Sequence, residues 1–337
     1  MQRVLRAITN YVTGFATSVA DGWNTFWYTP VDPGLLGLIR ILTGLMLLYT
    51  HAVWGMALND FFGADAWISR ELVDVVLTNL ARYSNHFAYS LWWVIPPRLI
   101  WPAYALMMLV LALFTVGLWT RITSILSLLV VISFVNRVPE ALFGLDKINL
   151  VLTFYLAIGP SGSALSLDRW LARRRHPGEP VAAKPRVGAN FALRLIQVHM
   201  CIVYLFAGIS KLQGAPWWNG QAMWLAFGNL EYQSADMTWL AWHPWLVNLL
   251  THFTAFWEIS FCVLIWLPLL RPLVLAASVV MHLGIGACLG LWTFSLIMLV
   301  DCASFLPTEG VGRLVAALSS PRAPAKVNRQ SAESWRR

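Results

Sequence analysis

The chain has 337 residues, of which 58% are hydrophobic and 12% charged, with a mean hydropathy of +0.62. Such a composition excludes ordinary soluble domains and points to a multi-pass membrane protein. A net charge of +8 would suit nucleic acid, but Lys and Arg fall mostly between apolar runs, as membrane topology requires, so no nucleic-acid partner is expected.

In chain order, residues 1–31 are mixed in character, with Arg3 and Arg6 near the start and an aromatic cluster at Trp23, Phe26, Trp27 and Tyr28. The pattern predicts an amphipathic helix at the membrane surface, and no removable signal peptide is evident. Asp32 and Pro33 then open a first span, GLLGLIRILTGLMLLYTHAVWGM, with the aspartate as a helix cap. Arg40 lies about two turns inside it; the guanidinium either snorkels to the near interface or pairs with a buried carboxylate. Residues 57–98, with His86, Phe87, Tyr89, Trp92 and Trp93 before Pro96-Pro97, read as an outer loop carrying one interfacial helix.

Further spans are expected at Ile100 to Thr120, Ile122 to Asn136, Ala141 to Ile158, Phe191 to Leu212, Leu250 to Leu270, Pro272 to Leu289 and Leu291 to Leu306. The expected fold class is therefore an all-α, polytopic membrane bundle of about eight spans, several of them short. The spans occupy a transmembrane domain at 32–318, divided into two four-span halves by a charged, Pro- and Gly-containing linker at 169–190. A basic, disordered tail is expected at 319–337. With both termini in the cytoplasm, about 17 Lys and Arg fall on the cytoplasmic side and about 6 outside, the outer ones being Arg70, Arg82, Arg98, Arg137, Lys147 and Lys211. Localisation in a plasma or inner membrane, with cytoplasmic termini, follows.

The cysteines at 201, 262, 288 and 302 each sit in an apolar run without CxxC spacing, so neither a disulfide framework nor a metal site is expected. Walker, dinucleotide, HExxH and GxSxG motifs do not occur. His51, His199, His252 and His282 lack a spacing specific for haem.

The stretch most suggestive of chemistry is RLIQVHMCIVYLFAGISKLQGAPWWNGQAMW, Arg194 to Trp224. At about 100° per residue, Gln197, Tyr204, Gly208 and Lys211 share one narrow stripe, which must face protein or a water-filled cavity. Lys211 closes that stripe. It reads either as an interfacial anchor or, if desolvated, as an amine able to act as a base. Glu258 and His282 fall at depths from which they could reach it, each with a structural reading beside the catalytic one. Asp301 lies in range of an inward-facing Arg40, which makes a structural pair of Arg40 with Asp301 the expectation for those two.

Four blocks carry a resemblance to a known family: DPGLLGLIRILTGLMLL (Asp32 to Leu48), VGLWTRITSILSLL (Val116 to Leu129), VYLFAGISKLQGAPWWNGQAM (Val203 to Met223) and MHLGIGACLGLWTFSLIM (Met281 to Met298). The chain resembles the HTTM-domain membrane proteins, whose best-known members are the vitamin K-dependent gamma-glutamyl carboxylases. The third block is the most specific, matching an AGxxKL turn followed by W and G at Ala207, Gly208, Lys211, Leu212, Trp218 and Gly220. The resemblance implies a membrane enzyme in which Lys211 deprotonates a reduced, vitamin K-like quinone; Glu258 and His282, read from their depth in the spans, are expected to tune it. Tyr204, Trp217 and Trp218 are the substrate-binding candidates around it. The chain departs from the carboxylases at Leu142-Phe143-Gly144, preceded by Val138-Pro139-Glu140 where they carry a histidine. They also carry a large lumenal region after the spans, whereas this sequence continues only briefly. The alternative reading is a non-enzymatic membrane module that assists maturation of an exported peptide or redox protein. Expected partners are membrane lipid, a lipid-soluble quinol and an exported peptide.

Overall fold

A computed structural model describes residues 2–63, 65–69, 71–73, 75, 89–176 and 183–319. The expectations for His86 and Phe87, and for the tail beyond 319, lie outside the described residues. Eleven helices carry the argument: α1 (Gln2–Tyr28), α2 (Gly34–Met56), α3 (Ile100–Val116), α4 (Thr120–Arg137), α5 (Gly144–Ile158), α6 (Leu167–Arg175), α7 (Val187–Lys211), α8 (Pro244–Leu264), α9 (Arg271–Leu289), α10 (Trp292–Cys302) and α11 (Thr308–Ser319). Among the described residues there is no β-strand, only a single antiparallel bridge between Val31 and Arg186. The protein is an all-α, polytopic bundle.

Among the described residues, six helices are long and apolar enough to cross a membrane: α2, α3 with the turn before it, α4, α7, α8 and α9. A seventh crossing is reached only if α10 and α11, bent by 104° at the break between them, count as one span. The expectation of about eight departs from this at α5, with 15 residues, and α10, with 11. These two short helices pack against α2, α7 and each other, so they occupy the middle of the bundle. A helix screened from lipid on most sides need not match the bilayer thickness, because neighbouring protein covers its ends.

The core follows from apolar residues at helical spacing on the inward faces: Leu36 and Ile39 on α2, Leu152 and Leu156 on α5, Ile196 and Met200 on α7, and Phe261 on α8. Leu106, Leu109, Ile125, Phe206, Phe256 and Val280 are exposed on the outside of the bundle, as a lipid-facing surface requires. The helix ends gather at two poles. At the basic pole, the first turn of α2 meets Ala164 and Leu165, and Gly34 lies against Gly312 of α11. The opposite, Lys211 pole holds the α4–α5 connection, the loops after α7 and the turn between α9 and α10, where Gly290 approaches Ser234.

Local sequence sets the boundaries. Asp32 Oδ1 accepts from Gly34 N–H at 2.7 Å, satisfying one of the free donors at the start of α2. Asp168 performs the same task for α4, accepting from the N–H groups of Trp119 and Thr120, each at 2.8 Å. Helix α1 forms as its sequence pattern predicts, with Val4, Ile8, Tyr11, Phe15, Val19 and Trp23 exposed along one stripe. The region 169–190 is not a linker throughout, because α6 extends to Arg175 and α7 begins at Val187. Ser166 caps α6 by accepting from Arg169 N–H, which is why helix persists into the charge run.

Candidate functional site

The α7 stripe is turned inward along its length, and each of its polar residues has a partner on another element. Nearest the basic pole, Gln197 Nε2 donates to the Ser304 carbonyl at 2.6 Å, and Arg194 donates to Gln197 Oε1 at 2.9 Å. Two turns further on, Tyr204 Oη lies 2.6 Å from His282 Nε2 on α9 and 3.7 Å from Cys302 Sγ on α10. The phenol donates to Nε2 whenever the neutral imidazole carries its proton on Nδ1. Tyr204 and His282 are both buried, and the rings of Trp257 and Phe261 enclose the tyrosine.

At the end of α7, Lys211 Nζ is 2.6 Å from Glu258 Oε2 on α8, with the two side chains 20% and 10% exposed. Gly208 makes that approach possible. A Cβ there would sit 2.6 Å from Ile259 Cγ1 and 3.2 Å from Glu258 Cβ. Gly208→Ala should therefore force α7 and α8 apart and cost roughly 1 to 3 kcal/mol through overpacking. Thermal unfolding of the purified variant measures it, and an unchanged melting temperature would contradict the close-approach role.

Lys211, Glu258, Tyr204 and His282 are thus brought onto one face, the lysine pair and the tyrosine pair about 10 Å apart by helical rise. The Trp217 ring centroid lies 5.2 Å from Lys211 Nζ, within cation–π range. Trp218 is largely exposed, and its indole N–H donates to the Leu212 carbonyl at 2.7 Å, which ties the loop back onto α7. The lysine sits between bulk and core, covered by an aromatic loop and held by one carboxylate. A hydroxyl-bearing ligand entering beside Trp217 would meet an ammonium and a carboxylate together.

The expected pair of Arg40 with Asp301 does not form. Arg40 is fully buried and donates through Nη1 to the Ser161 carbonyl at 2.7 Å and through Nη2 to the Leu165 carbonyl. Asp301 Oδ1 is buried without a hydrogen-bond partner. The physical reason is depth: Arg40 sits near the basic pole, where loop carbonyls come within reach of Nη1 and Nη2, while Nε has no hydrogen-bond partner among the described residues.

Sequence reading missed three contributors. Cys302, taken as a plain buried hydrophobe, contacts Tyr204 Oη. Trp257 walls the tyrosine, a contact for which its place on α8 gives no signal by itself. The loop Gly159 to Leu165, which receives Arg40, could have been noticed from its run GPSGSAL between two helices. Among the described residues no group of three or more His, Cys, Asp or Glu could hold a metal ion. No family profile, curated protein or solved structure matches the chain.

Proposed function

We propose that the chain is a membrane enzyme of the HTTM, vitamin K carboxylase-like type, in which the Lys211–Glu258 pair takes a proton from the hydroxyl of a lipid-soluble quinol. One observation carries this reading: the lysine of the AGxxKL turn meets a carboxylate on the next helix at 2.6 Å, beneath an aromatic loop. The pair holds one proton fewer than its full complement, so it can accept one from substrate. Lys211, with the shared proton held on Glu258, is the member that takes it, and the ammonium so formed remains beside the new substrate anion and stabilises it. Tyr204 and His282 support the site from below, and Trp217 and Trp218 flank its entrance. Reduced quinone is the cofactor this chemistry uses.

The test is turnover of vitamin K hydroquinone by the purified protein in detergent, followed by the loss of hydroquinone fluorescence in air. Lys211→Arg keeps the positive charge but has no accessible neutral form. It should remain folded and lose activity by about 100-fold or more, the scale of general base catalysis. Full activity in that variant would remove Lys211 as a proton acceptor.

A second reading is favoured by the closure of the pair itself. An ion pair by itself joins α7 to α8 without any chemistry, which suits a non-enzymatic module handling an exported peptide or redox protein. Absence of turnover in the folded wild type with any quinol tested would leave this reading standing.

Orientation follows from the basic pole facing the cytoplasm, supported by the clustering there of Arg121, Arg169, Arg173, Arg174, Arg175, Arg186, Arg194 and Arg271. A reporter active only in the cytoplasm should work when fused after Arg175, and one active only outside should work near Gln233. Both positions reporting the same side would overturn the topology.

A further inference from the structure

At the basic pole, away from the lysine site, a cleft of about 320 Å³ opens between the start of α4, the loop after α5, the first turn of α6 and the start of α7. Arg121, Arg169 and Arg186 line it together with Thr120, Ser161 and Ser163. Among the described residues its one acidic group is Asp168, whose two oxygens accept from the Trp119 N–H, the Thr120 N–H and the Thr120 hydroxyl. Arg121 and Arg186 form no ion pair with any described carboxylate, and both are exposed at the mouth. Counted over the described residues, three guanidinium groups face one carboxylate, so the cleft is net positive over a polar floor.

The floor is built to hold its shape. Arg40, buried behind it, fixes the loop through the Ser161 and Leu165 carbonyls. Gly162 lies against the Thr120 side chain so closely that a Cβ would clash, so the loop cannot shift towards α4. The exposed rings of Trp119 and Trp170 flank this region, as tryptophans do at the level of lipid headgroups.

We infer that this cleft binds a phosphate group, carried by an anionic phospholipid headgroup or by a soluble phosphate compound. Guanidinium pairs match phosphate oxygens in geometry as well as charge, and a basic pocket between membrane helices is a recognised kind of headgroup site. The site is independent of Lys211 and of any reaction there.

The experiment uses the full chain purified in neutral detergent and exchanged against equimolar phosphatidylglycerol and phosphatidylcholine, with retained lipid counted by native mass spectrometry. A second arm adds inorganic phosphate to protein holding phosphatidylcholine alone and follows the melting temperature. Arg121→Gln with Arg186→Gln is compared with Arg174→Gln plus Arg175→Gln, which removes the same charge from α6 outside the cleft. Retention of phosphatidylglycerol should fall about fivefold for each cleft arginine lost, and under twofold in the α6 variant. That result identifies a headgroup site. Stabilisation by inorganic phosphate that only the cleft variant loses, without lipid preference, identifies a soluble phosphate compound. No preference and no stabilisation in the wild type, or equal losses in the two folded variants, overturns the inference.

Discussion

Glu258→Gln is expected to lower the folded stability by roughly 3 kcal/mol, because it strands the Lys211 ammonium in a largely enclosed place. The lower end of the usual range for a broken buried pair applies, since 20% of the lysine side chain remains exposed and water can partly replace the carboxylate. The double change Lys211→Met with Glu258→Leu should recover most of the loss, because two apolar side chains of similar size fill the same gap between α7 and α8. Denaturation midpoints of the two single variants and the double give the coupling directly. A coupling near zero would mean that the 2.6 Å contact contributes nothing to holding the helices together. The same set bears on mechanism. If the pair serves only to join the helices, the double variant keeps whatever function the protein has; if it accepts a proton, the double variant is as stable as the wild type and inactive.

The second large effect is expected at Arg40. Arg40→Met removes a charged donor from the Ser161 and Leu165 carbonyls, each worth roughly 1 to 3 kcal/mol when left unpaired. Stability should therefore fall by about 3 kcal/mol or more, and protease sensitivity should appear first in the Gly159 to Leu165 loop. Asp301→Asn, by contrast, should change stability by less than about 1 kcal/mol, since no cation among the described residues pairs with that carboxylate. Combining the two changes should give the sum of the single effects. A coupling above about 0.5 kcal/mol would restore a direct link between Arg40 and Asp301.

How much of this was legible beforehand depends on the kind of information each feature needs. The stripe of Gln197, Tyr204, Gly208 and Lys211 was readable because the 3.6-residue period fixes one face of one helix. The meeting of Lys211 with Glu258 was readable as depth, whereas His282, expected at that same depth, meets Tyr204 about 10 Å further in. Arg40 and Asp301 failed the same argument. The two differ in depth, Arg40 lying near the basic pole, and its acceptors are backbone carbonyls, which carry no residue-specific signal. Length and hydropathy bring six of the described helices to the measure of a span and leave α5 and α10 short of it, because hydropathy reports that a segment tolerates an apolar setting, not whether lipid or protein provides it. The basic cleft was missed because its residues come from four separated segments, each of which looks like an ordinary cytoplasmic connection.

The contact of Gly34 with Gly312, and the packing of α2 against α10 and α11, have a consequence for biogenesis. This seam joins the first described span to the last described helices. At roughly 5 to 20 residues per second, it stays open for about a quarter of a minute to a minute after α2 has left the ribosome. Arg40 waits a shorter time, because the loop that receives it is synthesised near the midpoint. During that interval the inward face of α2 is lined with Thr43, Gly44 and Thr50, groups that lipid serves poorly and that the insertion machinery or a chaperone must shelter. Ribosome-stalled chains ending before α10 should therefore be held by that machinery far longer than chains that include α11.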